Sequence, residues 1–175
     1  MISKELDKAI RTIPDFPKVG INFKDITPVL MDANLCKKIT QDIYDKFTDI
    51  KIDAVVGVES RGFLFGMLIA QLFNIPFVTV RKKGKLPHKT ISYKYDLEYG
   101  SAEIEMHIDA IKPGSNVLVH DDLLATGGTA MAAAELVRRS GGNIAGFAFL
   151  VELEALKGSA ILNDYSKKIY SITTY

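Results

Sequence analysis

The chain has 175 residues, a length that suggests one domain, and its 47% hydrophobic and 25% charged residues exclude a disordered or collagen-like chain. Lys plus Arg number 22 against 21 Asp plus Glu, a net charge of +1, so there is no global basic field for nucleic acid and any anion site must be local. One cysteine, Cys36, excludes an intrachain disulfide framework and a Cys-based zinc site, and fits a reducing compartment. The segment from Met1 to Lys8 is charged and lacks the apolar core of a signal peptide. The most apolar stretch, Gly62 to Phe73, is too short to span a bilayer, so a soluble cytoplasmic protein is expected.

Ile2, Leu6, Ile10 and Ile13 recur at helical spacing, which predicts a first helix stopped by Pro14. Residues 14–28 hold three prolines and a glycine and read as an ordered loop, because Phe16, Val19, Ile21, Phe23 and Ile26 need something to pack on. Leu35, Ile39, Ile43 and Phe47 mark a second amphipathic helix over 34–47. The period then changes. Residues 53–58 form a short apolar run suited to a strand buried on both faces, followed by a helix over 63–73 and a strand over 76–80.

Residues 81–107 interrupt this pattern with a basic Gly/Pro loop, the run Ile91–Tyr95, an acidic segment, and partial alternation from Ala102 to His107. They read as a hairpin or hood inserted into the α/β order. Beyond Pro113-Gly114, a strand over 116–120, a helix over 127–140 and a strand over 144–150 are expected, with a last strand over 168–174. The fold class is therefore α/β, a mainly parallel sheet flanked by helices. Ligands bind such sheets at the carboxyl ends of the strands.

One such end has unusual composition. Val117-Leu118-Val119-His120-Asp121-Asp122-Leu123-Leu124-Ala125-Thr126-Gly127-Gly128-Thr129 is an apolar strand, two adjacent carboxylates, and a glycine- and hydroxyl-rich turn opening a helix. Successive N–H groups in such a turn form an anion nest, and the helix start adds partial positive charge, so Ala125 to Thr129 suits a phosphate monoester. Asp121 and Asp122 suit sugar hydroxyls or a hydrated Mg²⁺. No Gly-Lys-Thr/Ser follows, which excludes a Walker A loop, and a dinucleotide fingerprint is absent. His120 with the two aspartates suggests a metal trio, but adjacent strand side chains point to opposite faces, so His120 reads as a strand residue.

The thirteen-residue pattern resembles the phosphoribosyl-diphosphate (PRPP) signature of the type I phosphoribosyltransferases. Four further blocks resemble the adenine-using branch of that family, in its order, from about Pro14 to Leu150. They are Pro17 to Pro28, Glu59-Ser60-Arg61-Gly62-Phe63, Arg81 to Pro87, and Tyr95-Asp96-Leu97-Glu98-Tyr99-Gly100. The resemblance implies transfer of the 5-phosphoribosyl group from PRPP to N9 of adenine, giving AMP and pyrophosphate in purine salvage. A 6-oxopurine transferase and a non-catalytic PRPP- or purine-sensing regulator are the alternatives. It implies one domain over 1–175, with an N-terminal helix and base-binding loop over about 1–30 and a hood over about 81–107.

The residue roles are implied in the same way. Ala125, Thr126, Gly127, Gly128 and Thr129 hold the 5′-phosphate, and Asp121 and Asp122 engage the ribose. Arg61, Arg81 and Lys85 bind pyrophosphate, the last two in their own or a neighbouring subunit. Main-chain groups of Phe23, Lys24 and Asp25 read adenine, with the Phe23 ring on the purine and Leu123 as an apolar wall. Glu98 is the catalytic acid–base group for the purine proton, and Tyr99 shapes the closed lid. Mg²⁺ is the implied cofactor, held mainly by PRPP and water, with no dedicated metal ligand. The implied partners are adenine and PRPP, no nucleic acid, no membrane, and a second copy in a homodimer.

Overall fold

The computed structural model describes residues 1–96 and 100–175. Its elements are α1 (Ile2–Ala9), β1 (Arg11–Ile13), β2 (Phe23–Asp25), α2 (Thr27–Leu30), α3 (Ala33–Phe47), β3 (Ala54–Val58), α4 (Gly62–Phe73), β4 (Phe77–Lys82), β5 (Thr90–Asp96), β6 (Ser101–His107), β7 (Asn116–Leu124), α5 (Gly128–Arg139), β8 (Asn143–Glu152), α6 (Gly158–Leu162) and β9 (Ile169–Thr174). Seven strands form one sheet in the order β5-β6-β4-β3-β7-β8-β9. Strands β4, β3, β7, β8 and β9 run parallel, and the β5–β6 hairpin adds antiparallel to β4. The hairpin is joined to the sheet through two residue pairs, Arg81 with Glu105 and Lys82 with Ile104. This is the inserted hood expected from residues 81–107.

The sheet is packed on both faces. One apolar cluster includes Val56, Val119, Phe147 and the alanine-rich face of α5, and extends to Tyr95, Ile104 and Met106 of the hairpin. The other joins Leu6 of α1, Ile39, Ile43 and Phe47 of α3, and Phe65 and Ile69 of α4 to Leu118 and Leu150 of the sheet. Short βα turns and buried apolar strands follow from the composition, because strands covered by helices on both sides cannot alternate with polar residues.

Helix α4 sits close to the sheet for a local reason. A Cβ at Gly57 would lie 2.5 Å from the Phe77 ring, and one at Gly66 would lie 2.7 Å from the same ring. Two missing side chains, one on β3 and one on α4, thus admit a single aromatic ring between strand and helix.

Several features differ from expectation: the stretch 14–28 holds β2 and the start of α2 rather than only loop, and its Phe16, Val19 and Ile21 stay exposed. Helix α1 ends at Ala9, and Arg11–Ile13 leaves it to pair antiparallel with Phe23–Asp25. The apolar period at Ile10 and Ile13 continues, but β-branched Thr12 and Ile13 favour a strand once a partner is present. Arg11 then forks onto Asp25, with Nε and Nη2 donating to Oδ2 at 3.1 and 2.8 Å. Strand β7 runs on through Leu124, so both aspartates lie within the ladder rather than in the turn after it. No helix among the described residues is long and apolar enough to cross a membrane.

Candidate active site

Strand β3 lies between β4 and β7, so the chain leaves it in one direction toward β4 while β7 occupies the other side. The carboxyl ends of these strands meet where α/β sheets open a crevice. They deliver Glu59 and Arg61 from β3, Arg81 from β4, and Asp121 and Asp122 from β7.

The turn after β7 is a backbone cradle. Gly127 has φ +84°, a conformation in which an L side chain is strained, and caps α5 at its N-terminus. A Cβ there would lie 2.5 Å from the carbonyl oxygen of Gly158, so α6 fixes the turn from behind. Leu123 and residues 124–130 enclose a hollow of about 80 Å³ with Asp121. Asp121 and Thr129 also line an adjoining cavity of about 500 Å³, whose walls include Glu59, Lys82 and Tyr95. The hollow suits a phosphate and the cavity the rest of a larger ligand.

The carboxylate pair is strongly desolvated. Asp122 is 3% exposed, and its main-chain N–H donates to Asp121 Oδ1 at 2.8 Å. Burial pushes the Asp121 carboxyl well above the ordinary range, and the Asp122 charge beside it adds to the effect. Asp122 is also raised by burial, against the pull of the Arg61 guanidinium. Arg61 Nε lies 3.1 Å from Asp122 Oδ2. The approach is an ion pair without hydrogen-bond alignment, so that buried oxygen has no hydrogen-bond partner. Both carboxyls therefore favour an incoming positive charge.

Arg61 ties this pair to the base-loop segment. Its guanidinium lies 5.0 Å from the centroid of the Phe23 ring, and Nη1 donates to the Lys24 carbonyl at 3.4 Å. The Lys24 and Asp25 side chains are occupied elsewhere. Lys24 Nζ donates to Thr12 Oγ1 at 3.0 Å and lies 3.5 Å over the Tyr175 ring. Asp25 is held down to about 2 by the hydroxyl and N–H of Thr27 and by Arg11.

Arg81, near the end of β4, is held by a carboxylate. Arg81 forks onto Glu59, with Nη2 3.1 Å from Oε1 and Nε 3.3 Å from Oε2, while Nη1 donates to the Lys85 carbonyl at 3.3 Å. The Arg81 hydrogen bonds hold the Glu59 carboxyl below its ordinary value despite partial burial. Lys85 is exposed on the loop that follows.

The structure therefore brings Arg61, Asp121, Asp122, Phe23 and Lys24 together, and sets Ala125 to Thr129 beside them. Glu98 and Tyr99 lie outside the described residues. His120 is fully buried on the sheet, its Nδ1 donating to the Ala148 carbonyl at 2.9 Å. Burial lowers its pKa to about 4, so the ring is neutral. Among the described residues no group of three or more His, Cys, Asp or Glu side chains is placed to hold a metal ion.

Sequence reasoning missed Glu59, two residues before Arg61. It also missed Tyr95, whose hydroxyl lies 3.1 Å from Thr129 Oγ1 and ties the hood to the phosphate turn. An acidic residue at the end of a parallel strand, opposite a basic one on its neighbour, was the available signal for Glu59.

Comparison with known proteins matches residues 25–173 to the phosphoribosyl transferase domain model. An adenine phosphoribosyltransferase of Cytophaga hutchinsonii is 47% identical over 175 residues, covering 100% of this chain and 97% of that protein. The crystal structure of adenine phosphoribosyltransferase from Thermoanaerobacter pseudethanolicus superposes with a TM-score of 0.96 at 45% identity, with each chain covered in full. The Saccharomyces cerevisiae enzyme, solved with an imino-altritol bisphosphate and adenine, gives a TM-score of 0.89 at 39% identity and covers 98% of each chain. A glycine-capped turn at the start of α5, a desolvated carboxylate pair and a matched fold thus converge, and the chain belongs to the adenine phosphoribosyltransferase branch of the phosphoribosyltransferase family.

Proposed function

We propose that this chain transfers the 5-phosphoribosyl group of PRPP to N9 of adenine, releasing pyrophosphate and forming AMP, with residues 1–175 acting as one catalytic unit. The observation that carries the reading is the phosphate-sized hollow opening, through Asp121 and Thr129, onto a cavity edged by Glu59 and the basic loop. The yeast relative solved with adenine and a bisphosphate supports it.

In this reading Ala125 to Thr129 hold the 5′-phosphate with main-chain N–H groups and hydroxyls. Asp121 and Asp122 accept from the ribose hydroxyls. As C1′ gains positive charge, carboxylate oxygens fixed beside it in a desolvated corner favour the charge-separated state over the neutral one. Arg61, Arg81 and Lys85 bind the pyrophosphate, the arginines by forked hydrogen bonds. Adenine lies against Phe23, read by main-chain groups of Lys24 and Asp25, with Leu123 as the apolar wall. Buried main-chain donors and acceptors arranged for a 6-amino purine are left unpaired by a 6-oxo purine, which is how such a site discriminates. Glu98 handles the purine proton and Tyr99 shapes the lid.

Mg²⁺ fits this donor set as a hydrated ion. Asp121 and Asp122 are hard oxygen donors in a desolvated corner, yet one is bonded to a main-chain N–H and the other is paired with Arg61. They would hold its water shell, with PRPP oxygens as the direct ligands. Bound there, the cation neutralises charge on the leaving group.

A second copy of the chain covers the outer face of α4 in this reading. Leu64, Met67, Leu68 and Leu72 form an apolar stripe there, Met67 being 54% exposed, with Leu30 alongside. Met67→Glu is expected to convert a dimer into a monomer in sedimentation. The lone, half-buried Cys36 supports a reducing, cytoplasmic setting.

The test is a product assay with PRPP, Mg²⁺ and each of adenine, guanine and hypoxanthine. AMP and pyrophosphate are expected from adenine alone. Turnover restricted to 6-oxo purines overturns the base assignment, and saturable PRPP binding without turnover of any base overturns the catalytic one. Glu98→Ala is expected to lower kcat by about 10²–10⁴-fold.

A further inference from the structure

Glu105 is a carboxylate that the mechanism above does not use. It lies on β6, directly opposite Arg81 of β4 and Ser92 of β5, and is 2% exposed. A buried carboxylate is costly unless its oxygens are hydrogen-bonded. Here the donors come from the loop between β4 and β5 and from the first residue of β5. The N–H groups of Lys85 and Leu86 both donate to Oε1 at 3.0 Å, and Thr90 Oγ1 donates to Oε2 at 3.1 Å. Burial alone would raise this carboxyl, and these donors outweigh it and hold it below the ordinary value. The loop thus wraps a buried anion within the fold.

What the wrapping fixes is specific. Lys85 gives its N–H to Glu105 and its carbonyl to Arg81 Nη1, at 3.3 Å. Arg81 in turn forks onto Glu59, whose Oε2 also accepts from Lys82 N at 2.9 Å. Two carboxylates, Glu59 and Glu105, therefore bracket the segment that carries Arg81 and Lys85. One sets the arginine directly, and the other sets the main chain against which the arginine and the lysine are placed.

We infer that Glu105 is a positioning residue for pyrophosphate recognition, holding the loop so that Arg81 and Lys85 face the departing group. The inference rests on the transferase reading. It separates the two ends of the substrate, because Glu105 braces the basic loop and makes none of its contacts with the turn that holds the 5′-phosphate. Removing it should weaken ligands that carry a pyrophosphate and spare AMP, which carries none.

Direct titration of pyrophosphate–Mg²⁺ and of AMP into the full chain tests this. Glu105→Ala is expected to weaken pyrophosphate on the order of 10–100-fold, with a matching rise in KM for PRPP, while the Kd for AMP stays within about twofold. Glu105→Gln keeps an oxygen for the two N–H groups and presents an amide to Thr90, so it should restore pyrophosphate affinity to within about fivefold. Thr90→Val removes one contact only and gives a smaller loss of the same selectivity, a check that holds even if the alanine variant folds poorly. Parallel loss of AMP and pyrophosphate in both variants, or full pyrophosphate affinity in Glu105→Ala, overturns the positioning role. Wild-type protein that binds neither ligand overturns the transferase reading itself.

Discussion

The phosphate turn after β7 and the basic loop after β4 are built on opposite plans. The turn presents main-chain N–H groups from a glycine locked behind by α6, and its neighbouring carboxyls are pushed up by burial. The loop carries Lys85 beside an arginine already engaged with Glu59, its main chain is braced by Glu105, and those two carboxyls are pulled down by the donors around them. In the proposed reading, a group kept through the reaction, such as a 5′-phosphate, sits in a turn backed by α6. The leaving group in that reading meets an arginine that can return to Glu59 once it departs.

The most severe way to break this contrast is at the cradle. Gly127→Ala places a side chain at φ +84° and 2.5 Å from the Gly158 carbonyl. The left-handed conformation alone costs about 1–2 kcal/mol, and the clash adds to it. We expect a fall in Tm of about 10 °C together with loss of AMP and PRPP binding, read by calorimetry and titration. Normal AMP affinity in that variant would refute the main-chain cradle.

Next comes Asp122→Asn, which leaves Arg61 without its buried counter-charge. In the transferase reading it also removes a carboxylate from the ribose side of the site, so kcat/KM should fall about 10²–10³-fold, while a change at the loop should not reach that size. Arg81→Lys is milder. It removes the fork but keeps the charge, and a rise of about tenfold in KM for PRPP is expected, with AMP affinity unchanged in the same titrations.

The pH response sharpens the comparison further. Asp121 has a raised folded pKa, so its contribution to stability is present at low pH and is lost as pH rises above the ordinary 3.8. Glu59 is lowered, so its contribution is present above 4.5 and is lost as pH falls. Chemical denaturation from pH 3 to 7 should therefore show Asp121→Asn and Glu59→Gln changing the slope in opposite directions. His120 supplies a separate signal. Its pKa is lowered from 6.5 to about 4, so stability falls by about 3 kcal/mol as pH drops through that window. His120→Val should remove that decline.

Much of this was legible in the chain. Apolar runs at residues 53–58 and 144–150 need cover on both faces, and that alone predicts a parallel sheet between helices. The glycine-rich turn after Asp121-Asp122 announces an anion site through its own chemistry. The end of α1 was not legible, because Arg11 to Ile13 pairs with a segment ten or more residues away and local periodicity carries no record of that partner. Glu105 was hidden for a related reason. A buried carboxylate in an alternating strand looks like a solvated face until the loop that folds over it is known.

Gly57, Gly66 and Phe77 carry a consequence for how sequences of this kind can diverge. The ring needs both vacancies, 2.5 and 2.7 Å from where side chains would stand. Each position is intolerant by itself, yet the constraint is joint. A smaller residue at 77 releases Gly66 and most of the pressure on Gly57, whose Cβ would still lie 3.0 Å from the Gly62 carbonyl, so these sites should drift together, with paired replacements such as Phe77→Leu and Gly66→Ala surviving where Gly66→Ala alone is purged.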